Sequence, residues 1–291
     1  MRGGVTADKT EELGRHTESA RLMRREYKHD KTSCSSDHAV IVMDYSQNLT
    51  IPSESNTPSQ WYFCSLFSVS CFGIYYENDG VQTNYIYDES TSGKGSDQIN
   101  SMLAYFIETK LVPNKNNYVI KFLLTLADMG VFEHVDYKFF VKGHTKNSCD
   151  RGFGHIRKYM VTAECWTMAH VVEAVNAAAS NSVTVHVPRG SELFKSYKSV
   201  LTELYKRLDG VQKYQIFSID SAMPGVVAYK KGPDSDAVEQ DLRRKIDGIL
   251  TAKERVVRIM IMQNANLMSM LSDPHKDVHN FAGNVLTALG D

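Results

Sequence analysis

The run Val135-Asp136-Tyr137-Lys138-Phe139-Phe140-Val141 constrains the fold most, because it is aromatic and β-branched, too short for a helix, and followed at once by helical spacing at Phe153, Ile156 and Met160. A strand that feeds a helix in this way is the repeating unit of an α/β sheet. Between the two lies Gly143-His144-Thr145-Lys146-Asn147-Ser148-Cys149-Asp150-Arg151-Gly152-Phe153-Gly154-His155. Asp150 therefore stands where a buried strand gives way to a helix, a place where sites of open α/β sheets collect. From Lys138 to Lys158 there are six Lys or Arg residues and that one acid. Two readings fit. In one, Asp150 satisfies free amides at a helix N-terminus. In the other, a lone acid in a basic setting holds a divalent metal against a phosphodiester.

The pattern along the rest of the chain agrees with an α/β class. Apolar runs at Val40–Met43, Trp61–Tyr76 and Gln82–Tyr87 read as strands, the last two joined by the hairpin signal Glu77-Asn78-Asp79-Gly80. Ile99, Met102, Leu103, Phe106 and Ile107 give a helical stripe over 96–111, and Val119, Phe122, Leu123 and Leu126 give a second one ending near Gly130. Further on, the spacing predicts a helix at 167–179, a strand at 183–187, a helix carrying Leu193, Tyr197, Val200, Leu201, Leu204 and Leu208, and strands at 214–219 and 226–229. The last 40 or so residues read as helix, with an apolar knot at 256–262 suited to docking or self-association. The chain divides into a charged, partly disordered segment with a short helix (1–33), a core (34–161), an α/β extension of that core (162–247) and a helical tail (248–291).

His38-Ala39-Val40-Ile41-Val42-Met43-Asp44 is a second apolar run that ends in an acid, and it continues Tyr45-Ser46-Gln47-Asn48. Together, VIVMDYSQN and GHTKNSCDR resemble an uncharacterised transposase-like domain family of eukaryotic mobile elements. Its members carry D-[FY]-[SA]-Q-N after a first strand and G-H-T-K-N-x-x-D-R after a late one. The resemblance spans about residues 10–245. It implies an RNase H-like mixed sheet flanked by helices and a DDE-type integrase, in which acids corresponding to Asp44 and Asp150 are catalytic and ligate Mg²⁺ or Mn²⁺. It also implies DNA-backbone contacts from Lys142, His144, Lys146, Asn147, Arg151, Arg157 and Lys158.

The chain departs from that family at one place. A two-ion centre needs at least three acidic groups, and the family draws the middle one from a central strand ending in D-N-C-x-G-Q-N-K-N. Here only Asn114-Lys115-Asn116 remains of that motif, as Gln47 and Asn48 remain of the first. Independently of the family, about five residues separate Leu111 from Asn117, a helix–helix connection too short for a strand with two loops. The expectation is an RNase H-like sheet lacking one central strand, truncated between 111 and 114, and an inactive relative of a metal-dependent transposase or nuclease with no cofactor of its own. Asp88, Glu89 and Asp128 are the other nearby acids, and none adjoins Asp44 in that topology. The alternative is a non-enzymatic nucleic-acid-binding or protein-interaction scaffold.

Composition sets the remaining bounds. A net charge of −1 leaves no global attraction for nucleic acid, so DNA binding would be weak and confined to local patches. Five cysteines without a C-x-x-C pair, and no apolar stretch long enough to span a bilayer, lead us to expect a reducing, nuclear or cytoplasmic compartment and no membrane partner. Ser92-Gly93-Lys94-Gly95-Ser96 fails as a phosphate loop because Asp88 stands where the first glycine is needed, leaving a loop that opens a helix. His275 and His279 are spaced as zinc ligands, but Lys276 occupies the position of the catalytic glutamate. His144 and His155 flank Asp150 and fit either a phosphate contact, a proton carrier or a structural hydrogen bond.

Overall fold

The computed structural model describes residues 7–35, 38–56, 59, 61, 64–109, 117–144, 146–246, 249–250, 256 and 282–287. It is an α/β structure built on one mixed sheet. The strands of its first part are β1 (His38–Tyr45), β2 (Leu49–Ile51), β3 (Phe67–Tyr76) and β4 (Val81–Asp88), and helix α1 (Ala7–Thr32) precedes them. Helices α2 (Ser96–Thr109) and α3 (Asn117–Asp128) lead to β5 (His134–Phe139), followed by α4 (Ser148–Met160), α5 (Met168–Ala177), β6 (Ser182–His186) and α6 (Lys198–Leu204). Then come β7 (Ile216–Asp220), β8 (Val226–Lys230), β9 (Val238–Asp241), the short β10 (Lys245–Ile246) and β11 (Ile249–Leu250), and finally β12 (Ala282–Thr287). The sheet order is β6-β4-β3-β1-β12-β5-β7-β8-β9, with β2 on β3, while β10 and β11 pair only with each other.

Strand β1 shows why the sheet is covered on both sides. Val40 to Met43 are all buried, with Ile41 and Met43 in one core and Val40 and Val42 in another. A strand buried on both faces reads as a continuous apolar run, as the sequence predicts. The larger core holds Met102, Phe106, Phe122, Leu126, Leu201 and their neighbours from α2, α3 and α6. The opposite core holds Tyr27 of α1, Phe153 and Ile156 of α4, and Val171 and Val175 of α5. Helix α4 comes close to the sheet because two glycines permit it. A Cβ at Gly152 would lie 2.0 Å from the Gln82 side chain, and one at Gly73 would lie 2.8 Å from Phe153. The hairpin forms as expected, with Gly80 at φ 71°.

Several expectations need correction. The N-terminal segment forms one 26-residue helix rather than a short one. Tyr27 anchors it by hydrogen bonding Glu77 and Ser148, both at 2.7 Å, and Lys31 reaches Glu77 at 2.9 Å. Of the residues described between 61 and 66, none is strand; β3 begins at Phe67. The strands of 162–247 join the same sheet: β6 lies beside β4, and β7 to β9 continue it beyond β5.

The largest correction concerns the central strand. The sheet is not interrupted: a strand does lie between β1 and β5. Strand β12 runs parallel to both, in register from His38↔Ala282 to Met43↔Thr287 and from His134↔Ala282 to Phe139↔Thr287. Two edges carrying unpaired backbone groups in a buried position would be costly, and a strand from the far end of the chain removes that cost. The expected helical tail therefore fails at 282–287, where the chain is extended. Of the apolar knot, only Val256 is described, helical and buried; 257–262, His275 and His279, and Asn114, Lys115 and Asn116 lie outside the described residues.

Candidate functional site

The two motifs picked out in the sequence meet at the end of β1. Asp44 lies opposite Gly73 and shares a face with Val40 and Val42, so it projects toward α4. At the start of α4, Asn147 is the N-cap: its Oδ1 accepts from the amides of Cys149 (2.8 Å) and Asp150 (3.3 Å). Asp150 returns the contact, its Oδ2 accepting from the Asn147 amide at 2.8 Å, which completes a capping box. The capping reading of Asp150 is thus realised. The Cys149 thiol donates to the Val42 carbonyl at 3.1 Å and ties this turn to β1.

Asp44 lies close enough to this cap to be governed by it. Burial, then the charge of Asp150, push its carboxyl up to about 7. Opposing them are the Tyr45 amide, which donates to Asp44 Oδ1 at 2.8 Å, the Asn147 side-chain amide and the more distant charge of Lys94. Lys94 was not anticipated. The loop after β4 brings its Nζ to the Ser46 carbonyl (3.3 Å) and over the Tyr45 ring (4.8 Å). No local signal in Ser92–Ser96 reveals this, since the approach depends on β3 lying between β4 and β1 in the sheet.

The basic residues of the second motif divide between two places. An open groove of about 500 Å³ is lined by Arg24, Gly143, His144, Lys146, Asp150 and Arg157. Arg24, contributed by α1 and also missed in the sequence, donates to the carbonyls of Lys146 and His144 and stacks over Phe140. Arg151 and His155 face the other way, into a small polar pocket with Tyr75, Gln82 and Asn84. Lys142 and Lys158 are exposed and line neither. Asn147 is buried and its side chain caps α4. Gln47 is exposed, and Asn48 donates to Ser68 Oγ at 2.6 Å.

The donor set among the described residues does not fit a two-ion centre. Among the described residues, no group of three or more His, Cys, Asp or Glu side chains could hold a metal. Asp150 already serves a helix cap. Asp88 accepts from Ser90 and Thr91 in its own loop, and Asp128 from Tyr205 (2.6 Å) and the Gly225 amide (3.0 Å), so neither joins Asp44.

Comparison with known proteins adds one match. Residues 92–235 are similar to a domain of unknown function, DUF7869. The match takes in β5, the basic groove's His144, Lys146 and Arg157, and Asp150, and stops short of Asp44. No curated protein and no solved structure matches the chain. No helix among the described residues is long and apolar enough to cross a membrane.

Proposed function

We propose that the chain is a transposon-derived, DDE-type integrase-like protein that binds nucleic acid through the groove beside α4 and performs no metal-dependent strand chemistry. The observation that carries this reading is the convergence of Asp44 and Asp150, drawn from two motifs far apart in sequence and linked through Asn147. The strand directions give further support. Antiparallel β3 beside β1, and parallel strands continuing on its other side, are what an RNase H-like core has at its centre. Among the described residues no third carboxylate joins this pair, which argues for lost catalysis, because two acids in mutual repulsion cannot bridge and balance two divalent ions.

Binding would be electrostatic. Lys146 and Arg157 line the groove, and Arg24 already holds backbone carbonyls there. Fluorescence anisotropy with a random-sequence duplex, measured across a salt series, tests this. The parent should bind weakly and lose affinity steeply as salt rises. Lys146→Ala and Arg157→Ala should each reduce the slope of log affinity against log salt by roughly 0.9 if each neutralises one phosphate. A double variant that binds like the parent at every salt concentration would leave the scaffold reading in its place. Cleavage of the duplex with Mg²⁺ or Mn²⁺ that disappears in Asp44→Asn would overturn the claim of lost catalysis.

A further inference from the structure

No hairpin joins β12 to either neighbour. It lies parallel to both β1 and β5, so no tight turn fixes its register against either, and its backbone pairs with them as an added peptide strand would. Without it the sheet order breaks into two pieces, β6-β4-β3-β1 with β2 on one side and β5-β7-β8-β9 on the other. The two edges then left open are not ordinary edges. Val40, Ile41, Val42 and Met43 of β1 are buried, as are Val135, Tyr137 and Phe139 of β5. Neither edge carries the devices that protect exposed strands: no proline interrupts 38–45 or 134–139, and the charged residues there are partnered within the fold.

We infer that β1 and β5 form an acceptor groove for one parallel strand, and that this chain's own C-terminal segment occupies it as a separable ligand. The groove fits an extended stretch of six residues entering in the direction of β1. The segment Ala282-Gly283-Asn284-Val285-Leu286-Thr287 carries no proline to interrupt such pairing and no charge to bury. The connection between α2 and α3 is too short to supply such a strand, which leaves the groove to be filled from elsewhere in the chain.

The test uses the full chain with a protease recognition sequence placed within 263–272, cut only after folding. The C-terminal fragment should stay with the body through gel filtration. An excess of fluorescent peptide covering 278–291 should then displace it with a rise in anisotropy, and the same peptide carrying Val285→Pro should compete at least tenfold less well. Release of the fragment on cutting, whether the body stays folded or precipitates, overturns the proposal. So does equal competition by the proline peptide. A second measurement covers the case in which the inserted sequence prevents folding. In the uncut chain, Val285→Pro should strip hydrogen-exchange protection from amides within 40–43 and 134–139 while sparing those of β3 and β4. Unchanged protection at β1 and β5 would show that nothing depends on β12 being there.

Discussion

Asp44 on β1 and Asp136 on β5 flank the same strand and face the same side of the sheet, yet their chemistry is displaced in opposite directions. Asp136 alternates with Val135 and Tyr137 of the larger core, as Asp44 alternates with Met43. Burial acts to raise both. At Asp136 it is outweighed by the hydrogen bond from His134 (3.1 Å), the charge of Lys138 and the Ser218 hydroxyl (2.6 Å), which hold the carboxyl down at about 2. At Asp44 the neighbouring charge is a second carboxylate, and Lys94 acts only across a distance, so the carboxyl rises to about 7. The difference is one of contact. Lys138 sits 2.7 Å from Glu26 and 2.8 Å from Asp30, clamping α1 to β5, whereas no cation touches Asp44 among the described residues. Even that clamp has a limit: Asp30, almost wholly buried, rises to about 6 because burial outweighs its pairing with Lys138.

The strongest way to break this contrast is to remove the contact cation. Lys138→Met should destabilise the fold by about 3–5 kcal/mol, the usual consequence of leaving buried carboxylates without their partner. Urea unfolding at pH 7 measures it, and Asp30→Asn in the same chain should recover part of the loss. A cost below about 1 kcal/mol would mean that water already reaches the cluster and that α1 is held by Tyr27 and Met23 alone.

At Asp44 the expected sign is reversed. A folded-state carboxyl raised from its ordinary 3.8 to about 7 holds its proton more tightly than the unfolded chain does. Between those values the native state binds more protons, so this group makes stability fall as pH rises. Asp44→Asn should therefore stabilise the protein by on the order of 2 kcal/mol at pH 8, with the gain vanishing near pH 4. Paired unfolding curves at pH 4, 6 and 8 decide it. A variant less stable than the parent at pH 8 would mean that something pairs with the Asp44 charge, and the two regions would no longer differ.

How much of this was legible depends on the range of the interaction. Strand β1, strand β4 and the hairpin at Glu77–Gly80 follow from periodicity and turn chemistry and appear within two residues of their predicted places, whereas β3 begins six residues later than expected and the capping residue is Asn147, with Asp150 completing the box. Asp44 and Asp150 were legible as ends of elements, because an acid after an apolar run is a local signal. Arg24 and Lys94 were not, since each reaches the site across another element, Arg24 from α1 and Lys94 over β3. Strand β12 was missed for the same reason. Ala282 to Thr287 is short and mixed in polarity, helix and strand periods cannot be told apart over six residues, and only the place between β1 and β5 selects the extended form.

The smallest expected effect separates the two roles of Asn147. As N-cap it stabilises α4, and as an amide donor it moderates Asp44. Asn147→Ala removes both and should cost about 1 kcal/mol from the cap alone. Asn147→Asp keeps a good capping oxygen but replaces the donor with a second carboxylate facing Asp44. Its cost should be near zero at pH 4, where Asp44 is protonated, and should grow as pH rises toward 8. Asn147→Ala should show a shallower dependence, since it adds no charge. If both variants lose the same stability at pH 4 and at pH 8, Asn147 acts only on the helix, and the high value at Asp44 owes nothing to the charges gathered at the start of α4.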